Sequence, residues 1–166
     1  MIICYFGDYD PGYGRNRVLL KGLRENGVNI LECRSEKKGF TLYQDLREKH
    51  KKIKGKYDIL IVGQSFNTRL VWLAKLLSRK KIVWDAFYSF YDKYAFDNKV
   101  ISPNGLRGWY LWLSEWLACR LANMILLDAD AHIDYFARLF RINKNKFIRA
   151  FIGADDSVFI RDKFIK

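Results

Sequence analysis

Residues 2–16 read Ile2-Ile3-Cys4-Tyr5-Phe6-Gly7-Asp8-Tyr9-Asp10-Pro11-Gly12-Tyr13-Gly14-Arg15-Asn16: an apolar run without a polar stripe, a glycine-bearing turn, and the start of a segment with helical spacing. A strand apolar on both faces belongs to a parallel sheet covered on both sides. The alternation continues along the chain. It predicts strands at 2–6, 28–33, 57–62, 81–86, 123–127 and 147–152, with helices at 15–26, 41–54, 67–79, 103–122 and 130–141. Gly27 is expected as a C-cap glycine, Ser102-Pro103 as a helix start, and Asn67 and Asp130 as N-caps. The order βαβαβαβαβαβ predicts the α/β class: a Rossmann-like, doubly wound, mostly parallel sheet with helices on both faces.

The 166 residues suit one domain of roughly 100–200 residues. Half are apolar and 16% aromatic, which supplies a core and excludes disordered, collagen-like and low-complexity classes. Cys4, Cys33 and Cys119 are odd in number, far apart and set in apolar runs, so they read as reduced thiols of a cytoplasmic protein. The best candidate for a membrane span, Trp109 to Leu127, is broken by Glu115, Arg120 and Asn123. It falls short of the roughly 20 apolar residues that a span needs. Met1 to Phe6 has no basic lead-in and no cleavable apolar segment, so secretion is not expected.

Thirty Lys and Arg against 18 Asp and Glu give a formal charge of +12. Arg34 to Lys56 alone holds nine basic residues against Glu36, Asp45 and Glu48, a surplus of 6. Arg141, Lys144, Lys146 and Arg149 form a second block, and Arg79-Lys80-Lys81 a third. Such blocks suit anionic lipid, nucleic acid or phosphorylated ligands, or simply a solvated helix face. No nucleic-acid recognition motif accompanies them.

Ligands of such a sheet bind beyond the carboxyl ends of its strands, so the loops there hold the candidates. After the first strand, Gly7, Asp8, Gly12, Tyr13, Gly14, Arg15 and Asn16 form a loop that leads into a helix N-terminus, where backbone N–H groups favour an anion such as phosphate. Arg17 stands where a dinucleotide fingerprint has its third glycine, so NAD or FAD is weakly supported despite Glu32 downstream. Gln64 and Ser65 follow the third strand. Asp85 closes the fourth and precedes the aromatic run with Tyr88, Tyr91 and Asp92, a pairing of carboxylate and rings that suits carbohydrate. Asp128 and His132 follow the fifth, with too few ligands for a metal site. Trp109, Trp112 and Trp116 share a helical spacing that predicts a buried face.

Taken in order, Tyr5 to Asn16, Trp84-Asp85-Ala86-Phe87-Tyr88-Ser89, Asp128 to Phe140 and Phe151-Ile152-Gly153-Ala154-Asp155-Asp156-Ser157-Val158-Phe159 resemble the N-terminal Rossmann-like domain of GT-B glycosyltransferases of the family 4 type. The last stretch is similar to the family's closing Gly-hydrophobic-Asp…Phe segment, with Ala154 at the hydrophobic position. The resemblance implies an acceptor-binding domain over residues 1–159, the start of an interdomain linker or a tail at 160–166, and a separate C-terminal domain that holds the nucleotide-sugar donor. It implies a retaining, metal-independent transferase, inactive as this chain alone, with no cofactor bound by this domain. Gly12, Gly14 and Arg15 match the loop that approaches sugar and phosphates. Asp85 stands where the family often has a functional histidine, and reads as a group that orients an acceptor hydroxyl, as one that stabilises positive charge at the anomeric carbon, or as a structural carboxylate. Partners implied are a sugar or lipid-linked acceptor, the missing C-terminal domain and an anionic membrane surface, met through the lysine-rich 41–56 segment or the Trp stripe. The rival reading is a stand-alone basic module for anionic membrane or nucleic acid.

Overall fold

The computed structural model describes residues 1–154. Six strands form one parallel sheet: β1 (Ile2–Gly7), β2 (Asn29–Arg34), β3 (Ile59–Val62), β4 (Lys81–Phe87), β5 (Met124–Leu127) and β6 (Phe147–Arg149), in the order β2-β1-β3-β4-β5-β6. The helices are α1 (Gly14–Glu25), α2 (Phe40–Ile53), α3 (Arg69–Leu77), the short α4 (Phe90–Asp92) that runs on as a π turn through Lys93–Asp97, α5 (Leu106–Leu121) and α6 (Asp130–Phe140). The Rossmann-like α/β architecture is therefore the one expected.

Strand alternation sorts the core into two layers. Cys4, Phe6, Leu60, Val62, Ile82, Trp84, Ile125 and Leu127 face α2, α3, α5 and α6, whereas Ile3, Tyr5 and Ile61 face α1 through Leu20. In α2, Leu42, Leu46 and His50 recur every four residues and are buried, which leaves Arg47, Lys51 and Lys52 in solvent. Each fully buried leucine of this kind contributes about 1.5–3 kcal/mol. His50 is spent inside: Nε2 lies 2.5 Å from the Tyr57 hydroxyl, which donates to Ser78 Oγ. The three cysteines are free and buried.

Gly27, at φ +72° just after α1, ends that helix as expected. Three other caps differ. Asn67 spends its side chain on the Tyr43 hydroxyl, and Thr68 occupies the N-cap of α3. The long helix starts at Leu106 behind Gly105, three residues past Pro103. Asp130 is the first residue of α6 behind Ala129, and its carboxylate pairs with Arg149. The Trp stripe is only partly interior: Trp112 and Trp116 pack on the core, while Trp109 is 62% exposed. No described helix is long and apolar enough to cross a membrane. The closing segment from Asp155 onward and the 160–166 linker lie outside the described residues.

Candidate functional site

The sheet reverses its order between β1 and β3, and the loops after these strands meet there. Gly7, at φ +138°, needs to be glycine to turn the chain out of β1. Asp10 Oδ1 accepts the Gly12 N–H at 2.8 Å, and a Cβ on Gly12 would lie 3.2 Å from the same oxygen. Gly14 has open space around it. Asn16 is fully buried with all four hydrogen bonds made: it accepts from the Tyr5 hydroxyl and the Gln64 N–H and donates to the carbonyls of Asp10 and Gln64. It clamps the two loops together and has no bond left for a ligand. Glu32 bonds the Tyr9 hydroxyl and Arg24, a structural use of that acid.

Arg15 and Asp85 meet from 70 positions apart. Arg15 Nε donates to both Asp85 oxygens at 2.8 and 3.0 Å, with Nη2 2.6 Å from Oδ1, and the two side chains are 3% and 0% exposed. Burial pushes the Asp85 carboxyl up and Arg15 opposes it. The guanidinium also donates to the Ala150 carbonyl and lies 4.8 Å from the centroid of Phe87. Phe87 holds φ +64° at a bulge in the β4–β5 pairing, a strained position for a bulky residue. In this arrangement neither charge is offered to a ligand; together they fix the tops of β1 and β4 and the chain leaving β6.

Beyond the ends of β4 and β5 opens a cavity of about 340 Å³. One wall is the segment 87–98, with Tyr88, Asp92 and Lys93; the other is the end of β5 and the first turns of α6, with Asp128, His132 and Tyr135. Glu115 of α5 anchors the first wall. Fully buried, it accepts from Ser89 Oγ at 2.6 Å, the Phe90 N–H at 2.5 Å and the Tyr91 N–H at 3.4 Å, and burial pushes its pKa up to about 7. The Tyr135 hydroxyl donates to Asp92 at 2.6 Å, which joins the walls, and Lys93 donates to the Tyr88 hydroxyl. Tyr91 itself is buried with its ring against Phe96, outside this cavity.

His132 Nδ1 lies 2.5 Å from Asp128 Oδ1, four residues back. The carboxylate on Nδ1 fixes the ring's orientation and leaves Nε2 as its other hydrogen-bonding atom, on a residue that lines the cavity. Sequence reasoning placed Tyr88, Asp92, Asp128 and His132 here but missed Lys93, Tyr135 and Glu115. Tyr135 was within reach, since positions 132 and 135 are three apart on α6 and share one helical face. Among the described residues no group of three or more His, Cys, Asp or Glu is placed to hold a metal ion.

No family model matches the chain, and no curated protein matches it. Among solved structures it is similar to Anabaena HepE in complex with UDP-glucose: 11% identity, TM-score 0.51, with 95% of this chain and 44% of that chain covered. HepE in complex with UDP gives 13% identity and a TM-score of 0.48 over 95% and 45%. The likeness is one of fold, and this chain spans less than half the length of HepE.

Proposed function

We propose that this chain is the acceptor-side domain of a GT-B glycosyltransferase of the family 4 type, which works together with a second domain that holds the nucleotide sugar. By the motif resemblance the domain takes in residues 1–159, with 160–166 assigned to the start of an interdomain linker or tail. The observation that carries the reading is the Asp128–His132 pair facing a cavity walled by Tyr88, Asp92, Lys93 and Tyr135. Carboxylates, hydroxyls and rings are the groups that grip a polyol. The ordered motif resemblance and a fold shared with a UDP-glucose complex support it.

In this reading an acceptor hydroxyl lies against His132 Nε2. The hydroxyl oxygen bonds to the anomeric carbon, its proton passes to Nε2, and the bond from that carbon to the nucleoside diphosphate breaks. Asp128 holds the tautomer and stabilises the imidazolium. Asp85 and Arg15, paired with each other, hold the strand ends in place rather than touch the acceptor. The test is sugar transfer from a panel of nucleotide sugars by the chain joined with its donor-binding half. His132→Ala lowers kcat by about 100-fold or more while folding is retained; an unchanged rate removes His132 from the chemistry. The anomer formed separates retention, carried by the resemblance, from inversion, which a base facing the acceptor hydroxyl fits.

The exposed side of α5 is the proposed membrane contact. Leu106, Trp109, Tyr110 and Leu113 are 92%, 62%, 50% and 41% exposed, with Arg107 beside them, a mixture suited to an anionic bilayer surface at the cytoplasmic face.

A further inference from the structure

Between the loops after β1 and β3 lies a second cavity of about 200 Å³, lined by Asp8, Asp10, Tyr13, Gln64, Ser65 and Phe66. Two polar atoms on its lining residues are buried and have no hydrogen-bond partner: Asp8 Oδ1, an acceptor, and Gln64 Nε2, a donor. Gln64 as a residue is 4% exposed, so its amide has no bulk water to fall back on. A buried polar group without a partner is destabilising, so such a pair calls for a missing partner. The backbone of Gln64 is already engaged with Asn16, which leaves the side chain as the free element.

The partner's chemistry follows from the lining. A helix N-terminus nearby favours an anion, but two carboxylates face the cavity and, among the described residues, no cation lines it. Arg15, the cation expected here from sequence, is turned into its pair with Asp85. A phosphate is therefore opposed and a neutral ligand favoured. That ligand donates to Asp8 and accepts from Gln64, as adjacent hydroxyls on one ring do. Tyr13 and Phe66, 41% and 68% exposed, stand at the rim as faces for the ring. The Phe66 ring lies 5.5 Å from that of Phe90, tilted by 48°, so this cavity adjoins the aromatic wall that leads to the cavity of His132.

We propose that this cavity is a neutral saccharide subsite, which takes one pyranose ring by its hydroxyls and excludes phosphate. Naming that ring a unit of the acceptor rests on the glycosyltransferase reading; its binding does not.

The test is titration of the isotopically labelled 166-residue chain with six methyl glycosides of differing hydroxyl configuration, and separately with inorganic phosphate, read by amide and imidazole NMR. At least one glycoside produces saturable shifts in the Gln64 side-chain amide and the Asp8 and Tyr13 backbone amides. Gln64→Leu abolishes them yet leaves the melting temperature unchanged or higher, because an unpaired donor is replaced by apolar volume. Phe66→Ala weakens them at least fivefold. Shifts from phosphate in place of glycoside, or none from any of the six at 200 mM, would overturn the proposal. The His132 ring resonances report the other cavity in the same spectra. Glycoside shifts at Gln64 alone sustain this subsite while the acceptor reading fails, and shifts at His132 alone do the reverse.

Discussion

Replacing Asp85 by alanine removes one half of a buried ion pair, and the cost follows from what stays behind. The Arg15 guanidinium, 3% exposed, keeps only the Ala150 carbonyl and the Phe87 ring as neighbours of use. An uncompensated buried charge costs about 3–5 kcal/mol. At roughly 2–4 °C per kcal/mol for a chain of this size, the melting temperature falls by about 6–20 °C. Arg15→Met combined with Asp85→Leu fills similar volume without charge and recovers most of that loss, since the desolvation penalty leaves with the attraction. Thermal unfolding followed by circular dichroism on the wild type, both single variants and the double variant closes the cycle. An Asp85→Ala chain that melts within about 2 °C of wild type refutes the structural role. If sugar transfer is also lost in that variant, Asp85 returns to the chemistry.

Glu115 gives a pH signature. Its folded pKa of about 7 exceeds the ordinary 4.5, so the folded chain holds this proton between those values and the unfolded chain does not. Its contribution to stability is present below about pH 4.5 and is lost as pH rises through about 7, a difference of roughly 3 kcal/mol. Urea unfolding at pH 5 and pH 8 then shows a steeper fall for wild type than for Glu115→Gln; equal slopes would contradict the burial assigned to it. On the α5 surface, Leu106→Ser with Trp109→Ser reduces co-sedimentation with phosphatidylserine vesicles at least fivefold and leaves the melting temperature nearly unchanged, because both side chains are exposed. Equal sedimentation by wild type and variant rules that face out.

The sheet was legible because β1, β3 and β5 are apolar on both faces and Gly27 marks where α1 ends. The segment 87–97 was not, since its aromatics follow no helical period and the side chain that anchors it, Glu115, is about two dozen residues away. Pairing over distance also hid the fate of Arg15 and Asp85, which each looked like a ligand group alone and cancel each other 70 positions apart. Asn16 looked like part of an anion loop; only its four bonds reveal a clamp. Asp128 and His132 were visible because they lie within five residues of each other at the end of β5, so local sequence already brings them together.

The central claim is that the cavity of Asp128 and His132 receives a saccharide, and a saccharide array probed with the labelled chain tests it directly, whatever the donor and acceptor. Retention by at least one saccharide class is predicted, weakened about three- to tenfold by His132→Ala as one hydrogen bond is lost. No retention by any saccharide, with binding instead to duplex DNA or anionic vesicles that falls as salt is raised, would contradict it and leave a basic binding module in its place.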